Sequence, residues 1–98
     1  MDMVKDKIER WKILANIFLN RNKKIFIKEL NEDLHFCEII SVNEDSITIK
    51  NFGPEQRADI TEEIYWVQIL EFDEYREVIR WMKNQKIVVI YLNKITKD

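Results

Sequence analysis

KIFIKELNEDLHFCEIISVNEDSITIKNF, residues 24–52, predicts three short β-strands joined by two acidic turns. The first two strands are expected at residues 24–30 and 34–42, with a turn at residues 31–33 between them. After a second turn at residues 43–45, Ile47 and Ile49 alternate with polar residues, which is the pattern of a half-buried strand. Both faces of the second strand are partly apolar, so we expect it to be covered on both sides.

The segments on either side of this stretch predict two helices and further strands. Residues 2–20 carry apolar side chains at helical spacing, and Asn20 or Asn22 suits a left-handed helix end. We expect a fourth strand at residues 57–60 and a fifth at 64–72, IYWVQILEF. Asp73 is then a good N-cap for a second helix over residues 74–84. The apolar run 86–92 is expected to form a sixth strand, with a continued helix as the alternative.

Length and composition indicate one soluble domain with little net charge. The chain has 98 residues, is 46% hydrophobic and carries a net charge of −2, which favours a modest core over disorder. Because charges of both signs are interspersed, the whole chain exerts no strong pull on nucleic acid. Nucleic-acid binding would therefore depend on local patches or on stacking.

The chain shows no arrangement of residues typical of catalysis or metal binding. Its single histidine, His35, and single cysteine, Cys37, supply neither a nucleophile–base pair nor a metal-ligand cluster. We read His35 as a strand residue and Cys37 as a buried, inert thiol. No enzyme activity, metal or cofactor is therefore expected. The charged N-terminal residues, the lone cysteine and the absence of a long apolar run lead us to expect a cytoplasmic protein without a membrane span.

Three segments of the chain resemble motifs of the Sm-like superfamily, which includes the Lsm proteins and Hfq. IFIKELNED is similar to the family's first strand and turn, V-x-V-x-L-x-D-G. FCEIISVNEDSITIKN resembles the family's F-x-G-x-L-x-x-V-D-x-x-x-x-L-x-N stretch, and TEEIYWVQILEF resembles the closing strand of small archaeal Sm-like proteins. The resemblance covers about residues 3–72.

The resemblance implies a mostly β fold with helices, namely an Sm-like (SH3-like) five-stranded bent barrel preceded by an N-terminal helix. Residues 1–72 would form the barrel with its helix, and residues 73–98 a helix–strand extension of the same domain. Two family glycines are replaced, one by Asp33 in the first turn and one by Glu38 in the second strand. Asp33 would have to tolerate a left-handed conformation, and the charge of Glu38 should face solvent or a neighbouring subunit.

The family's function implies an oligomer, with a ring as one form, that contacts single-stranded RNA without catalysis. The residues expected to contact phosphate are Arg21, Lys23 and Lys24, and those expected near bases are Asn43 and Tyr65. The family's uridine pocket uses an Asp, an Asn and an Arg-Gly pair. The corresponding positions here carry Asn43, Ser46 and the acidic segment 61–63, whose two glutamates repel phosphate.

The missing pocket residues favour a second reading, in which the chain is a structural or protein-interaction module that has lost RNA binding. Trp11 and Trp66 are expected to pack the first helix on the barrel, whereas Trp81 lies off the apolar stripe of the second helix and is a candidate partner contact. Arg80, Lys83 and Lys86 form a second, weaker basic stripe. The apolar residues 87–92 would either reinforce an edge of the assembly or block ring closure.

Overall fold

The computed structural model describes residues 3–84, which form two helices and five strands. The predicted sixth strand and Lys86 lie outside the described residues. The elements, in chain order, are α1 (Met3–Asn20), β1 (Lys24–Glu29), β2 (Leu34–Val42), β3 (Ser46–Gly53), β4 (Thr61–Tyr65), β5 (Ile69–Glu74) and α2 (Tyr75–Asn84). Short 3-10 helices at Glu55–Arg57 and Trp66–Gln68 precede β4 and β5.

The five strands form one antiparallel sheet with the order β4-β3-β2-β1-β5. β1 lies between β2 and β5, so the last strand pairs with the first. Register shifts interrupt the β2–β3 pairing near Ile39 and the β1–β5 pairing at Lys28–Glu29. Such bulges bend a strand and increase its twist. The described part of the chain is therefore a small mixed α/β protein built on a five-stranded antiparallel sheet.

Apolar side chains cover the sheet on both faces. On one face, α1 packs through Trp11 and Ala15 on isoleucines of the strands and on Trp66. On the other face, α2 packs through Met82 on Phe26 and Phe36. β2 contributes to both clusters, because Phe36 points to α2 and its neighbour Cys37 points to α1. This confirms the prediction that β2 is covered on both sides.

Two predicted strands differ from the structure. Residues 57–60, predicted as the fourth strand, end a 3-10 helix and form a turn, and β4 begins at Thr61. Residues 64–72, predicted as one strand, are broken by the Trp66–Gln68 helix. The break has a tertiary cause, since the Trp66 indole donates to the Asn43 carbonyl at 3.1 Å and its backbone N–H donates to the Asp45 carbonyl at 3.0 Å.

The structure also differs from two predictions about individual residues, one in the first turn and one at the start of α2. Asp33 was expected to take the left-handed conformation of the first turn, but Glu32 takes it, with φ 73°. Asp33 is instead held by its N–H bond to the Asn31 side chain at 3.0 Å. Asp73 does not cap α2, because β5 continues to Glu74 and the helix begins at Tyr75. The Asp73 carboxylate instead accepts a hydrogen bond from the N–H of Glu74, one residue before the helix, at 2.7 Å.

None of the helices within residues 3–84 is long and apolar enough to cross a membrane.

The packing of α1 on the sheet predicts unequal effects of the same substitution at adjacent positions. Ala15 is 0% exposed, whereas Asn16 is exposed and its side-chain amide donates to the Lys12 carbonyl of its own helix. We expect Ala15→Gln to lower the free energy of unfolding by about 1–3 kcal/mol, because the longer side chain overfills a close-packed site. Asn16→Gln should change it by less than about 0.5 kcal/mol. Equal urea midpoints for the two variants would contradict this placement of α1.

Candidate functional site: a basic groove beside the second helix

A groove of about 650 Å³ lies between the start of β1 and the helix α2. Its lining combines five basic side chains with a single carboxylate, that of Glu74, and with the apolar surface of Tyr75 and Ile79. The basic residues are Lys23, Lys24, Arg76, Arg80 and Lys83. In a chain of net charge −2, this is a local concentration of positive charge.

The end of α1 places Lys23 and Lys24 at one wall of this groove. The helix closes with a Schellman motif, in which the Asn22 N–H donates to the Leu19 carbonyl at 3.2 Å and the Lys23 N–H to the Phe18 carbonyl at 2.9 Å. Asn22 is left-handed, with φ 53°, which selects it from the two candidates, Asn20 and Asn22, that the sequence offered. This reversal turns the chain directly into β1, so the two lysines face α2.

The amphipathic pattern of α2 supplies the other wall. Tyr75, Val78, Ile79 and Met82 follow the helical repeat and pack toward the outer face of the sheet. Arg76, Arg80 and Lys83 follow the same repeat along the flank of that apolar stripe. Burial of the stripe therefore fixes the direction in which the three cations point.

The cations of the groove are only partly neutralised. Lys23 Nζ lies 4.0 Å from Glu74, and Arg80 lies 3.3 Å from Glu77 one turn earlier in its own helix. Both pairs are solvent-accessible, so each contributes little to stability. Within residues 3–84, Arg76 and Lys83 have no ion-pair partner, and Lys24 contacts only the ring of Phe52. The groove therefore keeps an excess of positive charge.

The structure brings together some of the residues predicted to contact RNA and separates others. Lys23 and Lys24 line the groove, but Arg21 is exposed outside it. Asn43 and Tyr65 lie near each other at the β3–β4 pairing, where Tyr65 borders a different cavity of about 340 Å³. The predicted set thus forms two separate regions, and the basic stripe of α2 joins the lysines rather than Asn43 and Tyr65.

Asn43 is engaged within its own turn. Its side-chain amide donates to Ser46 Oγ at 3.1 Å and to Thr48 Oγ1 at 3.2 Å, while its side-chain oxygen accepts from Ser41 at 3.3 Å. Ser46 in turn donates to Glu63 at 2.6 Å. A base could bond to Asn43 only by replacing these internal bonds. Tyr65, by contrast, is 50% exposed.

Trp81 is 56% exposed, as its position off the helix stripe predicted. It borders a second groove of about 730 Å³ between α1 and α2, whose lining includes Trp11, Phe26, Leu34 and Leu70. More apolar side chains line this groove than line the basic groove, and they are interspersed with lysines and carboxylates. Its use as a partner contact stays a prediction.

Arg76 is the groove residue that sequence reasoning missed. Arg76 precedes Arg80 by four residues and Lys83 by seven, and residues at this spacing share a helix face. This spacing could have identified Arg76 as part of the basic stripe of α2. Sequence alone did not show that this face meets Lys23 and Lys24.

A buried polar network lies at the other end of β1. His35 is 0% exposed, with Nε2 2.6 Å from Glu29 Oε2 and Nδ1 2.9 Å from Asn51 Oδ1. Asn51 donates from its amide nitrogen to the Ile60 carbonyl at 2.9 Å and to Glu62 at 2.8 Å. These two bonds direct the Asn51 oxygen to His35. Both ring nitrogens therefore face an oxygen atom, so the imidazole is held at both ends.

Arg57 extends this network to the surface. Its guanidinium lies 3.4 Å from Glu62 and 2.9 Å from Asp33, so it joins the turn before β4 to the turn before β2. The network has no unpaired buried side-chain atom within the described residues. His35 therefore reads as a satisfied structural residue, consistent with our interpretation of the sequence.

The described residues contain no group of three potential ligands that could hold a metal ion. Cys37 is buried, and burial raises the pKa of its thiol well above the usual value, with Glu62 and Glu38 adding to the rise. A thiol held in its neutral form is a poor nucleophile. The arrangement of the basic groove suits the binding of an anion, since it offers cations beside apolar surface.

Comparison with known proteins gives no family to which the chain can be assigned: no family model matches it, and no curated protein is significantly similar.

The buried network predicts a large effect of removing the imidazole. His35→Ala leaves Glu29 and the Asn51 oxygen without a buried hydrogen-bond partner and leaves a cavity in place of the ring, which together cost about 2–5 kcal/mol of unfolding free energy. Glu38→Ala is the matched control, because Glu38 lies on the same strand but is exposed. The control should lose less than about 1 kcal/mol. Urea unfolding followed by tryptophan fluorescence measures both, and similar losses would contradict the structural role of His35.

The raised pKa of Cys37 predicts that stability falls at alkaline pH. The folded protein keeps the thiol proton where the unfolded chain has lost it. Below the ordinary thiol pKa of about 8.5, Cys37 causes no loss in the free energy of unfolding. Above that pH the unfolded chain loses the proton first, so the free energy of unfolding falls by up to about 1.4 kcal/mol per pH unit. Between pH 8 and pH 10, wild type should lose more stability than Cys37→Ala. Parallel urea-derived stability profiles for the two proteins would contradict this.

Proposed function

We propose that this protein is an Sm-like oligomeric binding module that contacts single-stranded RNA, without catalysis, through the basic groove. The order of an N-terminal helix followed by five antiparallel strands is compatible with the class that the sequence motifs resemble. The groove is formed with α2, which lies outside the part of the chain covered by that resemblance.

The observation that carries the proposal is the convergence of five basic side chains on one groove. Phosphate contacts supply most of the affinity of a protein for nucleic acid, because each neutralised phosphate releases condensed counterions. Arg76, Arg80 and Lys83 lie on successive turns of α2, roughly 5 Å apart along the helix axis. A flexible single strand can bring successive phosphates to such a row, with Lys23 and Lys24 opposite.

The groove also provides surface for the non-phosphate part of a nucleotide. Its volume of about 650 Å³ lies within the range of ligand sites, and Tyr75 and Ile79 give it an apolar floor. The internal bonding of Asn43 and the acidic Glu62 and Glu63 disfavour the turn where the family's pocket would lie. The proposed contact surface is therefore the groove rather than that turn.

The turn that contains Asn43, whose side chain is bonded within its own hairpin, supports a second candidate function. Ser46 donates to Glu63, and Asn43 bonds to three side chains of its own hairpin. A module that had exchanged RNA binding for protein interaction would show this arrangement. In that case the exposed Trp81 and the groove beside it, rather than the basic groove, would be the functional surface.

The proposal predicts salt-sensitive RNA binding that depends on α2. Wild type should bind a short single-stranded RNA with a micromolar or lower Kd, weakening as salt rises. Arg80→Glu/Lys83→Glu should reduce affinity by tenfold or more and make the log–log salt dependence shallower by about 2. Both side chains are exposed, so the change should leave the fold intact. Fluorescence anisotropy at several salt concentrations measures these quantities.

The matched control is Lys5→Glu/Arg10→Glu, which makes the same charge change on the exposed part of α1. An equal loss of affinity in the control would reject the groove as the contact surface. Failure of wild type to bind U-rich, A-rich or mixed RNA at low salt would reject RNA binding and favour the second candidate. Native mass spectrometry of the same samples gives the subunit count, and a monomer at micromolar concentration would reject the oligomer.

A further inference from the structure

Two aromatic rings adjoin the basic groove and form a connected platform. Phe52 on β3 and Tyr75 at the start of α2 have ring centroids 5.1 Å apart and meet edge to face. Phe36 supports both from beneath, at 5.7 Å from Tyr75 and 6.5 Å from Phe52. Phe36 is 0% exposed, whereas Phe52 and Tyr75 are only partly buried. The platform is therefore fixed at its base and accessible at its edge.

Lys24 connects this platform to the cations of the groove. Its side chain lines the groove, and its Nζ lies 4.9 Å from the centroid of the Phe52 ring. No carboxylate within residues 3–84 lies in ion-pair range of this ammonium. Lys24 thus covers an aromatic face with a charge that forms no ion pair among the described residues.

A phosphate in the groove would draw Lys24 away from the ring. The attraction between an ammonium and a phenyl face at the protein surface is weaker than that between an ammonium and a phosphate supported by further cations. Once Lys24 moves, the face of Phe52 is open beside the bound phosphate. A nucleobase attached to that phosphate through its sugar is the flat group placed to cover it, and every base has a π-face that stacks on an aromatic ring.

We propose that the groove binds an unpaired nucleotide in two parts: its phosphate engages Lys24 with the cations of α2, and its base stacks on the Phe52 face that Lys24 covers in the free protein. This inference rests on the proposed RNA binding and adds a base-contact site to it. It makes the groove selective for single-stranded over duplex RNA, because a paired base is already stacked between its neighbours. It also makes binding tolerant of sequence.

The test compares oligonucleotides of equal charge that differ in their bases. Wild type should bind a single-stranded RNA about tenfold more tightly than an abasic oligonucleotide of the same length, and more tightly than the same RNA in a duplex. An RNA carrying 2-aminopurine should lose fluorescence on binding, as the base stacks. Equal affinity for the RNA and the abasic strand would overturn the base site while leaving phosphate binding in the groove intact. Absence of binding to both would overturn the proposed function itself.

Two substitutions of Phe52 locate the stacked base. Phe52→Leu keeps an apolar side chain at this half-buried position and removes the ring, so its affinity for RNA should fall to its affinity for the abasic strand. Phe52→Tyr keeps the ring and should restore the difference and the 2-aminopurine quenching. If Phe52→Leu, shown to be folded by circular dichroism, still prefers RNA to the abasic strand, the assignment of the base to Phe52 is wrong.

Discussion

The imidazole of His35 is completely buried, and the partners it needs dictate how four strands meet. A buried polar group without hydrogen bonds is costly, and here Glu29 from β1, Asn51 from β3 and Glu62 from β4 all converge on β2 at this point. Asn51 also bonds to the Ile60 carbonyl, which brings the segment before β4 back against the sheet. This polar cluster therefore ties β1 to β4 together at one point and holds the connection before β4 against the sheet, while the buried apolar residues of the strands also specify their register.

Next to this polar cluster, apolar packing on the two faces of the sheet positions the helices, and that packing creates the groove. In β2, Cys37 packs in the apolar cluster beneath α1, and Phe36 packs in the apolar cluster beneath α2. Each helix therefore covers a separate apolar cluster. α2 follows β5 without a linking residue, because β5 ends at Glu74 and the helix begins at Tyr75. The direction of α2 is thus set by β5 and by the fit of Met82 against Phe26 and Phe36. The basic flank of α2 then necessarily faces the end of α1.

Local signals in the sequence were sufficient for α1 and for the first three strands, because periodicity and turn residues determine them, and they narrowed the left-handed helix end to Asn20 or Asn22. They were insufficient for residues 57–72. Most residue types in IYWVQILEF favour a strand, yet the Trp66 indole donates to the Asn43 carbonyl, a partner 23 residues earlier. Only part of the groove was predicted, because its two walls come together through tertiary packing. Lys23 and Lys24 stood out as a cluster, but their proximity to Arg76 follows from how α2 packs.

The division of charge in the molecule explains how an acidic chain can present a cationic surface. The two outer strands of the sheet carry carboxylates, with Glu62 and Glu63 on β4 and Glu71 and Asp73 on β5. Charged edge strands resist pairing with other chains, and like charges placed opposite each other are destabilising. Any assembly that joined these two edges would have to neutralise their carboxylates. The groove lies beside β5 and keeps its cations on α2 and at the end of α1. Among those edge carboxylates, Glu62 and Glu71 have basic partners in Arg57 and Lys28. The cations of the groove therefore lie apart from the carboxylates of the edge strands, and this separation lets a chain of small negative net charge carry a local positive surface.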